Sequence, residues 1–351
     1  MTDLSTPAQF GELQLKNRLV MAPLTRTRAT EDRIPTDLMV EYYTQRANAG
    51  LIIAEATVIA EEANGYERSP GLYNDKQVAA WKKITDAVHA EGSLIVSQLW
   101  HVGRISHPDL LKGEIPVSSS AIKPKGTVSL LRPKREYVTP RPLEISEIKA
   151  IVAQYKQAAI YAKAAGFDGV EVHAANGYLL DQFLQSSTNQ REDEYGGSVE
   201  NRARFLLEVV DVLIEVWGAG RVGVHLAPRG DEHDMGDDNP KETFGYVAEE
   251  LGKRQIAFIF TREYLAEDSI SAYLKERSGV PYIANMRLDA QTAKELLASG
   301  KADAVSFGKA YIANPDLYQR LMSNAPLNEL NTTTMYGFGP EGYTDYPTMA
   351  I

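Results

Sequence analysis

His173, Asn176 and Tyr178 follow directly on the apolar run Gly169-Val170-Glu171-Val172. An imidazole and a carboxamide can both donate hydrogen bonds to an oxygen that gains electron density. A phenol can deliver a proton. The three side chains together suit a reaction in which charge collects on an oxygen and a proton follows. A plainer reading uses the same residues: a histidine satisfied within the structure, and a tyrosine packed over the rim of a sheet. Spacing alone leaves both open.

Residues of this kind need a scaffold that brings distant strand ends together. The sequence offers eight strand-like runs: Arg18–Ala22, Leu51–Glu55, Leu94–Leu99, Gly169–His173, Val222–Leu226, Ala257–Phe260, Tyr282–Ala284 and Ala304–Phe307. Helical patterns alternate with them near Met39–Ala49, Asp75–Glu91, Ile145–Ala165, Val199–Trp217, Lys241–Lys253, Ile270–Arg277, Ala290–Ser299 and Pro315–Ser323. Ser198 fits the N-cap of the helix at Val199. Eight such units predict an α/β fold, a single parallel (β/α)8 barrel over residues 1–351, with a doubly wound open sheet as the alternative. The alternating FGELQLK at 10–16 predicts a short hairpin ahead of the barrel, placed to plug its bottom. Residues 104–142, rich in Pro, Lys and Ser, form a long excursion after the third strand that would shape the substrate side. A hairpin is expected in its VSLLRPKREYVTP portion. The Gly-, Tyr- and Thr-rich tail from Asn331 is expected at the surface, over the barrel mouth.

In a barrel of this kind the C-terminal strand ends build the site. Those ends carry Pro23, Leu24 and Thr25; Ala56; Gln98 and Trp100; His173, Asn176 and Tyr178; His225 and, further on, Arg229; Asn285 and Arg287; and Gly308 with Lys309. Their joint placement predicts one large ligand across the barrel mouth. Backbone groups at Pro23 and Ala56, the Thr25 hydroxyl and the Gln98 amide suit a flat heterocycle with carbonyls and ring nitrogens. Backbone N–H groups at Gly308-Lys309, with the charges of Lys309 and Arg287, suit a phosphate. Surface charges at helix starts would look the same.

Composition narrows the classes. The chain has 351 residues, 44% hydrophobic and 24% charged, with a net charge of -10. That balance argues against nucleic acid or an anionic membrane as a partner. There are no cysteines, which excludes disulfides, thiolate zinc and iron–sulfur clusters. No signal-like start and no long apolar run are present, so a cytoplasmic location is the expectation.

The stretch His173-x-x-Asn176-x-Tyr178, Leu179 to Phe183, then Tyr195-Gly196-Gly197-Ser198 with Glu200-Asn201-Arg202 resembles the old yellow enzyme family of FMN-dependent ene reductases. The resemblance runs from Leu15-Lys16-Asn17-Arg18 to Tyr343-Thr344-Asp345-Tyr346-Pro347, and includes Gln98-Leu99-Trp100-His101 and Ile312-Ala313-Asn314-Pro315. It implies non-covalent FMN, hydride from NADPH or NADH, and reduction of activated alkenes, with nitroesters and nitroaromatics as further substrates. A barrel that binds flavin or a steroid-like ligand without turnover is the alternative. The dienoyl-CoA and trimethylamine dehydrogenase branch needs a cysteine-ligated cluster that this chain cannot build.

Residue by residue, the resemblance implies that Pro23, Leu24, Thr25, Ala56 and Gln98 surround the flavin ring. His173 and Asn176 would grip the substrate oxygen, and Tyr178 would donate the proton. Tyr66, Trp100 and Tyr336 would shape the substrate pocket, with Arg141 at its rim. The chain departs from the family's pattern at His225, where an arginine at the flavin edge is common, with Arg229 as a conceivable replacement. It departs again at Asn285-Met286-Arg287 and at Lys309, around the phosphate. A monomer or weak homodimer is expected, acting on small enone or nitro substrates.

Overall fold

The computed structural model describes residues 2–349, so Met1 and the last two positions of the predicted tail lie outside it. Eight parallel strands make up its centre: β1 (Leu19–Met21), β2 (Leu51–Ile53), β3 (Leu94–Trp100), β4 (Gly169–Ala174), β5 (Val222–Leu226), β6 (Phe258–Arg262), β7 (Tyr282–Asn285) and β8 (Ala304–Phe307). Neighbours pair in chain order, β8 pairs with β1, and β2 pairs with β3. The sheet therefore closes on itself, and the open-sheet alternative is ruled out. Every strand is almost wholly buried, as continuous rather than alternating apolar runs require when helices cover the outside.

The helices between them are α1 (Asp37–Gln45), α2 (Asp75–Ala90), α3 (Ile145–Ala164), α4 (Val199–Trp217), α5 (Pro240–Lys253), α6 (Ser271–Ser278), α7 (Ala290–Ala298) and α8 (Leu317–Ser323). Several of their starts carry side-chain caps. Ser198 Oγ accepts from Asn201 N at the head of α4, and Asn239 and Asp289 do the same for α5 and α7. Two short helices, Leu179–Leu184 and Lys309–Ala313, are added at the strand ends where the site lies.

The bottom of the barrel is closed as the sequence predicts. Ala8–Phe10 pairs with Leu13–Leu15, and Phe10, Leu13 and Leu15 join Val20, Leu51, Ile53, Val96, Phe258, Phe260 and Ile283 in one buried cluster. The excursion at 104–142 is tied at its base by Val117–Ser118 pairing with Arg141–Pro142. The hairpin expected within it is reduced to a single bridge, Thr127 to Glu136. The tail returns over the first strand's loop. Arg26 donates to the carbonyls of Met335 and Gly342, and Arg28 to those of Thr334, Met335, Gly339 and Glu341. No helix among the described residues is long and apolar enough to cross a membrane.

Candidate active site

A cavity of about 520 Å³ opens at the C-terminal ends of the strands. Pro23, Leu24, Thr25, Ala56, Gln98, His225, Asn285, Arg287, Gly308 and Lys309 all line it, and so do Tyr66, Trp100, His173, Asn176, Tyr178 and Tyr336. These span more than 300 positions of sequence, brought to one rim by barrel closure. Arg141 is the exception. It is exposed, pairs with Glu147 at 2.8 Å and borders a separate groove. Its segment is held by the pairing at the base of the excursion, and the nearer carboxylate takes the guanidinium. Arg229 does not line the cavity either: its largely buried guanidinium is held by buried Glu263 at 2.8 Å and by Asp268, so it does not replace an arginine at position 225.

The trio is set by a locked turn. After β4 the chain takes two left-handed residues, Asn176 (φ +59) and Gly177 (φ +79). A side chain at 177 would meet the Glu232 carbonyl at 2.9 Å, so glycine is required there. Asp181 accepts from Gly177 N at 2.9 Å, and Gln182 donates to the carbonyls of Gly177 and Val102. Tyr178 then caps the short helix and projects across the mouth. Its ring stands edge-on to Trp100 at 5.0 Å and to His173 at 4.9 Å. Its hydroxyl lies 3.1 Å from that of Tyr66.

Strand register explains the histidines. His173 and His225 occupy partnered positions of β4 and β5, and their rings stack 5.1 Å apart at 10°. Burial is the main reason both stay neutral. His173 is pushed down to about 3, with the charges of Arg262 and His233 adding to the effect, and His225 falls well below its usual value. Gln98 Nε2 donates to Glu171 Oε2 at 2.7 Å and sits 3.1 Å from His225 Nδ1. An amide NH2 can only donate, so His225 Nδ1 accepts and its proton sits on Nε2. That nitrogen, His173 Nδ1, Trp100 Nε1 and Glu171 Oε1 are buried without a partner. Burial raises the Glu171 carboxyl to about 8, against the pull of Gln98. Burial also pushes the Tyr178 phenol well above its ordinary value, so it remains protonated at neutral pH.

Sequence reasoning missed several lining residues. Arg262 ends β6, and its Nη1 donates to Asn176 Oδ1 at 3.0 Å. Glu232 pairs with Arg262 at 2.6 Å, and His233 Nδ1 donates to the Asn176 carbonyl at 2.6 Å. Phe260, Met286 and Leu288 complete the wall. Arg262 was the findable one, as the only charge in the FIFTR run, but it falls just past the predicted strand end.

Neutral hydrogen-bond donors and a protonated phenol share the cavity wall with Arg287 and Lys309, for which no ion pair is found among the described residues. Residues 3–328 match the sequence family described as NADH:flavin oxidoreductase / NADH oxidase. A probable flavin mononucleotide-dependent alkene reductase of Leishmania infantum is 40% identical, over 98% of this chain and 96% of that protein. The old yellow enzyme homologue of Zymomonas mobilis superposes with a TM-score of 0.96 at 43% identity, over 99% of this chain and 100% of that one. Morphinone reductase in complex with tetrahydroNAD gives 0.96 at 46% identity, over 100% and 98%.

Proposed function

The chain belongs to the NADH:flavin oxidoreductase / NADH oxidase family, and from that premise we propose that it is an FMN-dependent NAD(P)H oxidoreductase of the old yellow enzyme type that reduces the C=C bond of activated alkenes. Unsaturated carbonyls, nitroalkenes and maleimides are the proposed substrates, with nitroesters and nitroaromatics as further ones. The observation that carries the reading is the convergence of His173, Asn176 and Tyr178 on one cavity that also holds the flavin-type donor set.

The cavity suits FMN on its own chemistry. Its volume lies in the usual range for a ligand of that size. The unpartnered His225 Nε2 and Trp100 Nε1, and the Gln98 amide, are polar groups of the kind a flavin's carbonyls and ring nitrogens would satisfy. Pro23, Leu24, Thr25, Ala56, Gln98 and His225 would hold the ring. Asn285, Arg287, Gly308 and Lys309 would hold the phosphate. FMN held there would supply a hydride for the substrate's β-carbon, with NADH or NADPH as its source.

The protein's own groups do the rest. His173 and Asn176 donate to the substrate oxygen, and those bonds strengthen as charge grows there. Both are neutral, so neither gives up its proton in doing so. Tyr178 hands its phenolic proton to the α-carbon, with the Tyr66 hydroxyl 3.1 Å from its own. Tyr66, Trp100 and Tyr336 bound the space for the substrate. Arg141 plays no part in this reading.

The test is anaerobic. The purified protein should be yellow, bleach with NADH or NADPH, and recolour with 2-cyclohexenone. Colour that neither nucleotide bleaches would leave a ligand-binding barrel without turnover. We further propose a single domain, a cytoplasmic location, and a monomer or weak homodimer with no nucleic-acid partner. The net charge supports the last point.

A further inference from the structure

Arg262 has a bonding pattern that sets the orientation of another residue. A carboxamide can turn its oxygen or its NH2 toward a ligand. Only the NH2 half can grip a substrate oxygen; the oxygen half repels it. Arginine has five N–H donors and no acceptor. Its Nη1 sits 3.0 Å from Asn176 Oδ1, so the acceptor half of that amide is taken and the donor half is left. The same Nη1 pairs with Glu232 Oε1 at 2.6 Å, so the carboxylate braces the very atom that meets the amide. The Asn176 backbone is fixed as well. It lies in the left-handed region, and its carbonyl receives His233 Nδ1 at 2.6 Å. Glu232 and His233 are consecutive in the loop after β5, so one loop and one strand end clamp Asn176 together.

We propose that Arg262 is a positioning residue: braced by Glu232, it fixes the Asn176 carboxamide with its NH2 toward the substrate oxygen. The proposal rests on the reading of Asn176 as a group that grips that oxygen. Arg262 is not itself assigned a contact with substrate; its Nη1 is taken by Asn176 and Glu232. Its charge has a second effect, opposing protonation of His173 and His225.

The experiment is a double-mutant cycle on the holoenzyme, read as the dissociation constant of p-chlorophenol from its perturbation of the flavin's visible spectrum. Arg262→Leu should weaken binding about tenfold, and Asn176→Ala by a similar factor or more. In the Asn176→Ala background, Arg262→Leu should change affinity less than twofold. Arg262→Lys should restore part of the loss, since an ammonium group also can only donate. Equal losses from Arg262→Leu in both backgrounds would overturn the proposal, because the arginine would then act on the ligand or on the whole site. Unchanged affinity in Asn176→Ala alone would overturn the reading of Asn176 itself, and this proposal with it. If the leucine variant fails to load flavin, Arg262→Gln runs through the same cycle. Gln should then weaken binding by about three- to fivefold in the parent and by less than twofold in the alanine background, and equal losses in the two would overturn the proposal.

Discussion

Tyr178, the proposed proton donor, shows what burial does to a single phenol. A phenol held well above its ordinary pKa is a weak acid, but it is fully loaded with its proton at any physiological pH. Tyr178→Phe should therefore slow the oxidative half-reaction with 2-cyclohexenone by about 10²-fold or more, while reduction by NAD(P)H stays within about twofold. Stopped-flow traces of the two half-reactions decide this, and equal losses in both would remove the proton-donor role. The trio was legible because three side chains with reactive hydrogens cluster directly after an apolar run. Arg262 and Glu171 were not, because their importance depends on what they face. Arg262 matters through Asn176, which lies 86 positions away, and Glu171 reads as an odd charge inside a strand until Gln98 is seen against it. Arg141 failed in the opposite sense. Its motif pointed to the rim, yet a carboxylate six positions on captures it.

At the scale of elements, the barrel was readable almost strand by strand. Buried parallel strands leave unbroken apolar runs, and the N-cap read at Ser198 is in place at the head of α4. What could not be read were the short helices at Leu179–Leu184 and Lys309–Ala313, which have fewer than two turns in which to show a period. The hairpin plug was legible from its alternation. Its worth can be measured. Phe10 is buried against Phe258, with ring centres 6.4 Å apart, at the end of the barrel away from the cavity. Phe10→Ala should cost about 3–5 kcal/mol in urea unfolding of the apoprotein. The flavin content of the folded fraction should not change. Loss of flavin in step with stability would show that the plug and the mouth are coupled.

Over the whole molecule, the buried titratable groups set a pH profile for folding. His101, His173 and His225 are held below their ordinary value by burial. The unfolded chain takes up protons at them below pH about 6.5 while the folded chain does not, so stability falls as pH drops from there toward 3. Glu171 works the other way. Its folded value is about 8 against an ordinary 4.5, so between those limits the folded form keeps a proton that the unfolded form gives up. Stability from this group is present below pH 4.5 and lost as pH rises through 8. In the apoprotein, Glu171→Gln should remove that loss, and the thermal midpoint of the variant relative to the parent should climb between pH 5 and pH 8. A difference that stays flat across the range would mean that Glu171 is already ionised.

The cavity draws on Pro23 near one end of the chain and on Lys309 near the other, and β1 has no second neighbour until β8 arrives. A ribosome making this protein must therefore deliver more than 300 residues before any of them can capture a cofactor. Until then the growing sheet exposes a free edge along Leu19–Met21, a surface that invites mispairing. The cavity that would take FMN is therefore complete only once β8 has paired with β1.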